Sequence, residues 1–314
     1  MSDQNKPRKG KKIVIPGPNT AGLPTFTPGS TPPGAAPMPA QEQRRVLDEI
    51  AKVQQNQTVT GQAPQPSQQF DFSKVHLHIG IPCYGGMISE PTMTSFLRFT
   101  LLAQQVGLNW SLDTMVNESL IPRGRNNLMA KMMTNQNATH FMFIDADIRF
   151  QPESIMQMIA YDKEVIGGLY PKKALPINYV INLKPQVTVQ GDIYTVDTMG
   201  TGFLLFKRSV YEKLIQAHPE TKYVDDIGLG KQYEPMMYAI FDCVIDHRGH
   251  YLSEDWTFCR RWQALGGEIW AHSKTLLNHV GHYEFQGDIS KLDINTMAQQ
   301  AHAATNPTAS EVKV

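Results

Sequence analysis

The sequence predicts an α/β domain built on a largely parallel sheet, spanning residues 71–288. Three observations predict it. Strand-like and helix-like stretches alternate through this region, the pattern of strands joined by crossover helices. An apolar run, Phe141-Met-Phe-Ile144, passes straight into Asp145-Ala146-Asp147 and reads as a buried strand ending in carboxylates. Two further polar groups, Pro82-Cys83-Tyr84 and Asn117-Glu118, also follow strand-like runs, where open α/β sheets hold their ligands.

The elements follow in order. Val75 to Ile81 alternates as a strand and ends at Pro82-Cys83-Tyr84-Gly85-Gly86, a loop too glycine-rich to stay extended. Phe96, Phe99, Leu102, Ala103 and Val106 recur at helical spacing within Thr92 to Val106. Trp110 to Val116 is a strand and Arg125 to Asn135 a helix. After the strand that carries the aspartates, Pro152-Glu153 opens a helix running to about Tyr161, and Val165 to Leu169 is a short buried strand. Tyr179 to Thr195 is strand-rich with turns. Met199-Gly200-Thr201-Gly202 precedes an apolar strand, and its glycines would let backbone approach a ligand closely or form a tight turn. Ser253 reads as the N-cap of a helix with Glu254, Asp255 and Trp256 in its first turn. Glu268 to His272 is a last strand, followed by His279 and His282.

The flanks differ. Residues 1–70 hold eleven of the 21 prolines and few large apolar side chains, which predicts a disordered arm. Val46, Ile50 and Val53 give the segment 41–54 helical spacing, a candidate helix for docking to an assembly partner or for self-association; Lys6 to Lys12 form a small basic cluster. Residues 289–314 form a polar tail with room for one helix. With 29 basic and 29 acidic residues the chain offers no global attraction to nucleic acid or anionic membrane. No apolar run reaches the roughly 18 residues needed to cross a bilayer. Cys83, Cys243 and Cys259 match no zinc spacing and Met1 begins no signal peptide, so the expected location is the cytoplasm. No GxGxxG or Walker loop occurs, which disfavours dinucleotide and P-loop nucleotide binding.

The chemistry rests on the acidic groups. On an extended or tightly turned strand end, Asp145 and Asp147 can aim at one point, where a divalent cation would relieve their repulsion. A cap plus a solvated side chain is the structural alternative. Asp255 at a helix start is expected to have a lowered pKa, and the acids there would also satisfy the helix dipole.

Taken in order, Pro82-Cys83-Tyr84, Arg125-Asn126, the DxD, Gly200-Thr201-Gly202, Glu254-Asp255 and His279 form a series. It resembles glycosyltransferases of the GT-A fold, especially family-2-like enzymes of bacteria and of phages or large viruses, over residues 75–285. The resemblance implies a Rossmann-like, mostly parallel sheet with a small antiparallel sheet on the acceptor side. It implies a sugar-nucleotide donor, a UDP-sugar favoured, with Asp145, Ala146 and Asp147 at its diphosphate and Mn²⁺ or Mg²⁺. His279 would be the third metal ligand, with His282 its rival. Asp255, with Glu254 beside it, would be the catalytic base of an inverting hexosyl or pentosyl transfer. Pro82, Cys83, Tyr84, Arg125, Asn126 and Lys173 would line the donor side, and Gly200, Thr201, Gly202 and Trp256 the acceptor side. Without a membrane anchor, the acceptor would be a glycan, a protein or a modified DNA base. The other readings are a nucleotidyltransferase making sugar nucleotides, which would need a basic Gly-rich loop after the first strand, and a non-catalytic or virion-associated protein retaining the fold.

Overall fold

Phe141 and Phe143 bury on one side of their strand while Met142 and Ile144 bury on the other, so the sheet needs cover on both faces. The computed structural model has this architecture. It describes residues 70–288 together with Ile294 and Met297; the 41–54 segment, the basic cluster and most of 289–314 lie outside the described residues. Ile294 and Met297 are helical and pack against the core, so the C-terminal segment is not polar throughout.

The strands are β1 (His76–Cys83), β2 (Asn109–Val116), β3 (His140–Ile144), β4 (Ile148–Arg149), β5 (Val165–Gly168), β6 (Ile181–Asn182), β7 (Val189–Gln190), β8 (Ile193–Val196), β9 (Thr198–Met199), β10 (Phe203–Lys207), β11 (Val244–Ile245), β12 (Tyr251–Leu252), β13 (Ile269–His272), β14 (Asn278–Val280) and β15 (Glu284–Gln286). The helices are α1 (Glu90–Val106), α2 (Ile121–Thr134), α3 (Pro152–Ala160), α4 (Arg208–Ala217) and α5 (Glu254–Ala264).

The main sheet has the order β2-β1-β3-β10-β5-β13-β8-β7. Six of its eight strands run one way, and β10 and β8 are reversed. One core packs α2, α4 and α5 on the face carrying Phe141, Phe143, Leu204 and Phe206. The other packs α1 and α3 on the face carrying Leu77, Ile79, Met142 and Ile144. Small antiparallel sheets, β15-β14-β4, β6-β9 and β11-β12, lie outside the main one.

Two expectations change in detail. β1 remains extended through Pro82 and Cys83, which pair with Met115 and Val116 of β2. Its pairing with β3 ends at Gly80, so proline's missing donor falls where no neighbour needs it. α2 starts at Ile121, with Pro122 at its first turn, four residues before the predicted Arg125.

Candidate functional site

The chain turns sharply at the end of β3. Ile148 donates its backbone N–H to Asp145 O at 3.1 Å, closing a tight turn over the DxD, while Asp145 N donates to Gly202 O at 2.8 Å. Ala146 O accepts from Ser89 N, the N-cap of α1, at 2.8 Å. Directly after the turn β4 pairs with β14, setting His279 opposite Ile148, and Val280 N donates to Asp147 O. The small sheet β15-β14-β4 therefore serves the Asp147 side of the site.

These contacts floor a cleft of about 660 Å³. Its walls carry Pro82, Tyr84, Arg125, Asp145, Ala146, Asp147, Thr201, Glu254 and Asp255 from the predicted set. Ser89, Ile121 and Glu254 also line it, so the starts of α1, α2 and α5 all reach the cleft, their backbone N–H groups adding positive potential.

Arg125 joins the two acidic motifs. Its Nη2 donates to Asp145 Oδ1 at 3.0 Å and Oδ2 at 3.2 Å, and its Nε donates to Glu254 Oε1 at 3.3 Å. Burial alone would favour a neutral guanidine; Asp145 and Glu254 outweigh it and keep the group protonated. Its Nη1 is buried and has no partner among the described residues, as is Thr201 Oγ1. Both residues line the cleft, and each keeps one buried polar atom without a partner in the described structure.

The expectation for the Asp255 pKa is overturned. Burial pushes it up and Glu254 adds to this, against hydrogen bonds from the Ser253 hydroxyl and Trp256 N–H. The Ser253 hydroxyl donates to Asp255 Oδ1 instead of capping α5, because that carboxylate turns back over the helix start. Burial thus outweighs the helix-end effect that the sequence suggested.

Asp147 is the opposite case. Burial opposes its ionisation, but His279 and Lys173 hold its carboxyl below the usual range. Lys173 Nζ lies 2.5 Å from Oδ2 and His279 Nε2 3.5 Å from Oδ1. His279 Nδ1–H donates to Pro171 O at 2.9 Å, which directs Nε2 toward Asp147. For a divalent ion, the fit is limited and specific. Asp147 and His279 offer an oxygen and a nitrogen on one side, whereas Asp145 is committed to Arg125. The described residues contain no group of three candidate ligands. Such a site suits an ion that takes one or two protein ligands and fills its shell with substrate phosphate oxygens and water.

Several predicted residues serve the scaffold instead. Asn126 is buried on α2, its Nδ2 donating to Phe241 O at 2.6 Å and its Oδ1 accepting from Phe241 N at 2.9 Å; both polar ends are spent away from the cleft. The Cys83 thiol donates to Met87 O at 2.9 Å and shapes the loop after β1. Gly200 and Gly202 make room for side chains: a Cβ on Gly202 would stand 2.6 Å from Asp145 Oδ2 and 2.8 Å from the Tyr170 hydroxyl, and one on Gly200 would overlap that hydroxyl. Trp256 contributes its backbone N–H to Asp255, and its side chain does not line the cleft. His282 is exposed and makes no contact with Asp147, whereas His279 does. Glu118, at the end of β2, accepts from Leu120 N and Arg123 and closes the start of α2.

Tyr170 went unrecognised in the sequence. It lines the cleft, and its hydroxyl accepts from Gly202 N at 3.1 Å; burial, then Asp145, raises its pKa. Its position two residues beyond β5, at a strand's carboxyl end, is the signal that could have found it.

No protein-family model matches the chain, and neither does any curated protein. Among solved structures it is similar to A197 from STIV, with 14% identity over 66% of this chain and 86% of that one and a TM-score of 0.39. It is also similar to a UDP-glucose pyrophosphorylase complexed with UDP-glucose and to the inositol-1-phosphate CTP transferase from T. maritima, each with 10% identity over 74% of this chain and 98% of the other, TM-score 0.35. Likenesses this distant leave the chemistry to be argued from the cleft itself. No helix among the described residues is long and apolar enough to cross a membrane.

Proposed function

We propose that the cleft binds a nucleoside-diphosphate sugar and transfers its glycosyl group to a hydroxyl acceptor, with inversion. The observation that carries this reading is the Arg125 bridge, which draws Asp145, Glu254 and the neighbouring Asp255 into one cleft from segments more than a hundred residues apart. The acceptor oxygen attacks the anomeric carbon as the bond to the diphosphate breaks, the leaving oxygen keeps the electron pair, and Asp255 takes the acceptor's proton. A buried carboxylate of raised pKa is a stronger base than an exposed one while it stays ionised. The starts of α1, α2 and α5 favour the diphosphate's charge. Asp147 and His279 would hold a divalent ion, Mn²⁺ or Mg²⁺, which would neutralise charge on the leaving phosphate. Tyr84, exposed on the cleft wall, supplies a ring for the base to stack on.

The nucleotidyltransferase alternative is weaker, because the cleft residues at the end of β1 and just after it (Pro82, Tyr84, Met87, Ile88 and Ser89) include no cation. The test is thermal stabilisation by UDP, GDP, CDP and ADP, each with Mn²⁺ and with EDTA. One nucleotide should stabilise the protein in a metal-dependent way, UDP being favoured. If none does with metal present, the reading fails.

A further inference from the structure

Lys173 belongs to an exposed loop whose ends are fixed, and Ala174 N donates to Lys172 O across it at 2.8 Å. Pro171 and Tyr179 form an isolated antiparallel bridge, Lys172 N donates to Asn178 O at 2.6 Å, and Pro171 O accepts from His279. Every residue from 172 to 178 is exposed. From this loop the Lys173 stem passes Gly281, where a Cβ would come within 3.4 Å of its Cδ, and its ammonium lands on Asp147 Oδ2. The opposite oxygen, Oδ1, faces His279. One carboxylate thus has two nitrogen partners, and the ammonium holds the oxygen that a cation would share.

We propose that Lys173 is a built-in counter-cation that competes with a divalent ion for Asp147 and is handed to the donor's diphosphate when the donor arrives. This rests on the reading of the cleft as a sugar-nucleotide site. Without diphosphate, the ammonium neutralises Asp147 and a metal ion must displace it. With diphosphate, the ammonium gains a phosphate partner, Asp147 is released to the metal, and metal and nucleotide each strengthen the other's binding by the same factor. Lys173 is therefore a positioning residue that couples the two ligands. The partly exposed Lys173 side chain can swing its ammonium without moving the backbone beside it or His279, which is held to Pro171.

The experiment uses Mn²⁺ alone, by calorimetry, with no nucleotide or acceptor. Lys173→Met should bind Mn²⁺ about two- to fivefold more tightly than the unaltered protein, the advantage expected when a partly exposed ion pair no longer competes. Lys172→Met removes the same charge one residue away and makes no ion pair among the described residues, so it should change affinity less than twofold. Asp147→Asn should abolish the binding in every background. If Lys173→Met and Lys172→Met behave alike, or neither binds Mn²⁺ better than the unaltered protein, the competition is refuted. A second arm repeats the titration with the nucleoside diphosphate that stabilises the protein; the gain in metal affinity on adding it should shrink in Lys173→Met. If no nucleotide stabilises any variant, the proposed function falls, while the metal-only result still decides whether Lys173 competes for Asp147.

Discussion

The Arg125 guanidinium lies against the Asp145 carboxylate, its Nη2 3.0 Å from Oδ1 and 3.2 Å from Oδ2, although the two residues sit on different elements. Arg125 is almost fully buried and meets Glu254 as well, so one cation holds acids from the end of β3 and the start of α5. Arg125→Met would leave those carboxylates without their shared partner in a confined space. The expected cost is about 3–5 kcal/mol of folding stability at neutral pH, as for breaking other buried ion pairs, together with loss of nucleotide binding. Denaturant unfolding and a binding titration check the two parts. A variant that folds normally and still binds nucleotide would remove Arg125 from the site.

Asp255 gives a test that separates chemistry from folding. Its carboxyl is pushed above the ordinary aspartate value of 3.8, first by burial and then by Glu254, so the folded chain disfavours its charged form. The sign follows: the penalty is absent below the unfolded pKa, grows as the pH rises from the unfolded to the folded pKa, and is fully present above the latter. Asp255→Asn keeps an oxygen to accept from Ser253 and Trp256 N–H, so it should melt higher than the unaltered protein at pH 7, and the gap should close as the pH falls toward 3.8. The same variant should lose about 10²–10⁴-fold in transfer rate while binding nucleotide normally, as expected for a missing general base. Unchanged turnover would remove Asp255 as the base.

Asn126 should behave in the reverse way. Its side chain satisfies both backbone groups of Phe241, and Phe241 stacks on Phe258 of α5 with ring centroids 4.7 Å apart. Asn126→Leu leaves a buried N–H and a buried C=O unpaired, at about 1–3 kcal/mol each. Urea unfolding should show a loss within the sum of those two terms. Nucleotide affinity, measured well below the melting temperature, should hold within about twofold, since neither polar end of Asn126 faces the cleft.

How much of this could be read from the chain depends on whether the signal was local. The strand through Ile144 and the carboxylates after it were legible because burial on both faces and the polarity switch are written in consecutive residues. Helix α3 was legible from Pro152 and Glu153 in the same way. The reversal of β10 was not, because an apolar pentapeptide such as Phe203–Lys207 has the same composition whichever way it runs. β4 escaped notice because two residues carry no periodicity; only pairing with β14 makes it a strand, and that pairing brings His279 to Asp147. The packing contacts of Asn126, Gly200 and Gly202 are illegible for a related reason: their partners, Phe241, Tyr170 and Asp145, lie far away in sequence.

Gly202 yields a steric prediction. A methyl group there would press on Asp145 Oδ2 and on the Tyr170 hydroxyl, neither of which is the loose end of a flexible chain, since one is held by Arg125 and the other by Gly202 N–H. Gly202→Ala should cost about 1–3 kcal/mol as an overpacked site and lower nucleotide affinity by turning Asp145 out of place. Adding Tyr170→Phe removes one of the two clashing oxygens and should restore part of the stability. A double variant no more stable than the single one would leave the strain with Asp145 and with the Tyr170 ring, whose Cζ stays 2.9 Å from the added methyl.

Asp147 provides the test of charge at the site. Lys173 and His279 overcome the effect of burial and lower its pKa, so the ionised carboxylate is favoured by folding. A depressed carboxylate contributes stability above its unfolded value of 3.8 and loses that contribution as the pH falls through its folded value. Asp147→Asn should therefore be less stable than the unaltered protein at pH 6–7, with the difference shrinking below pH 3.8. Because the side chain is 36% exposed, the effect should be modest and should weaken in high salt. Unfolding curves between pH 7 and pH 3, at low and at high salt, measure it. A difference that keeps its size through the acid range would mean that Asn disturbs the β3–β4 turn itself and that the Lys173 and His279 contacts contribute no net stability. The Asp255→Asn and Asp147→Asn differences should thus have opposite signs at neutral pH and both vanish on acidification.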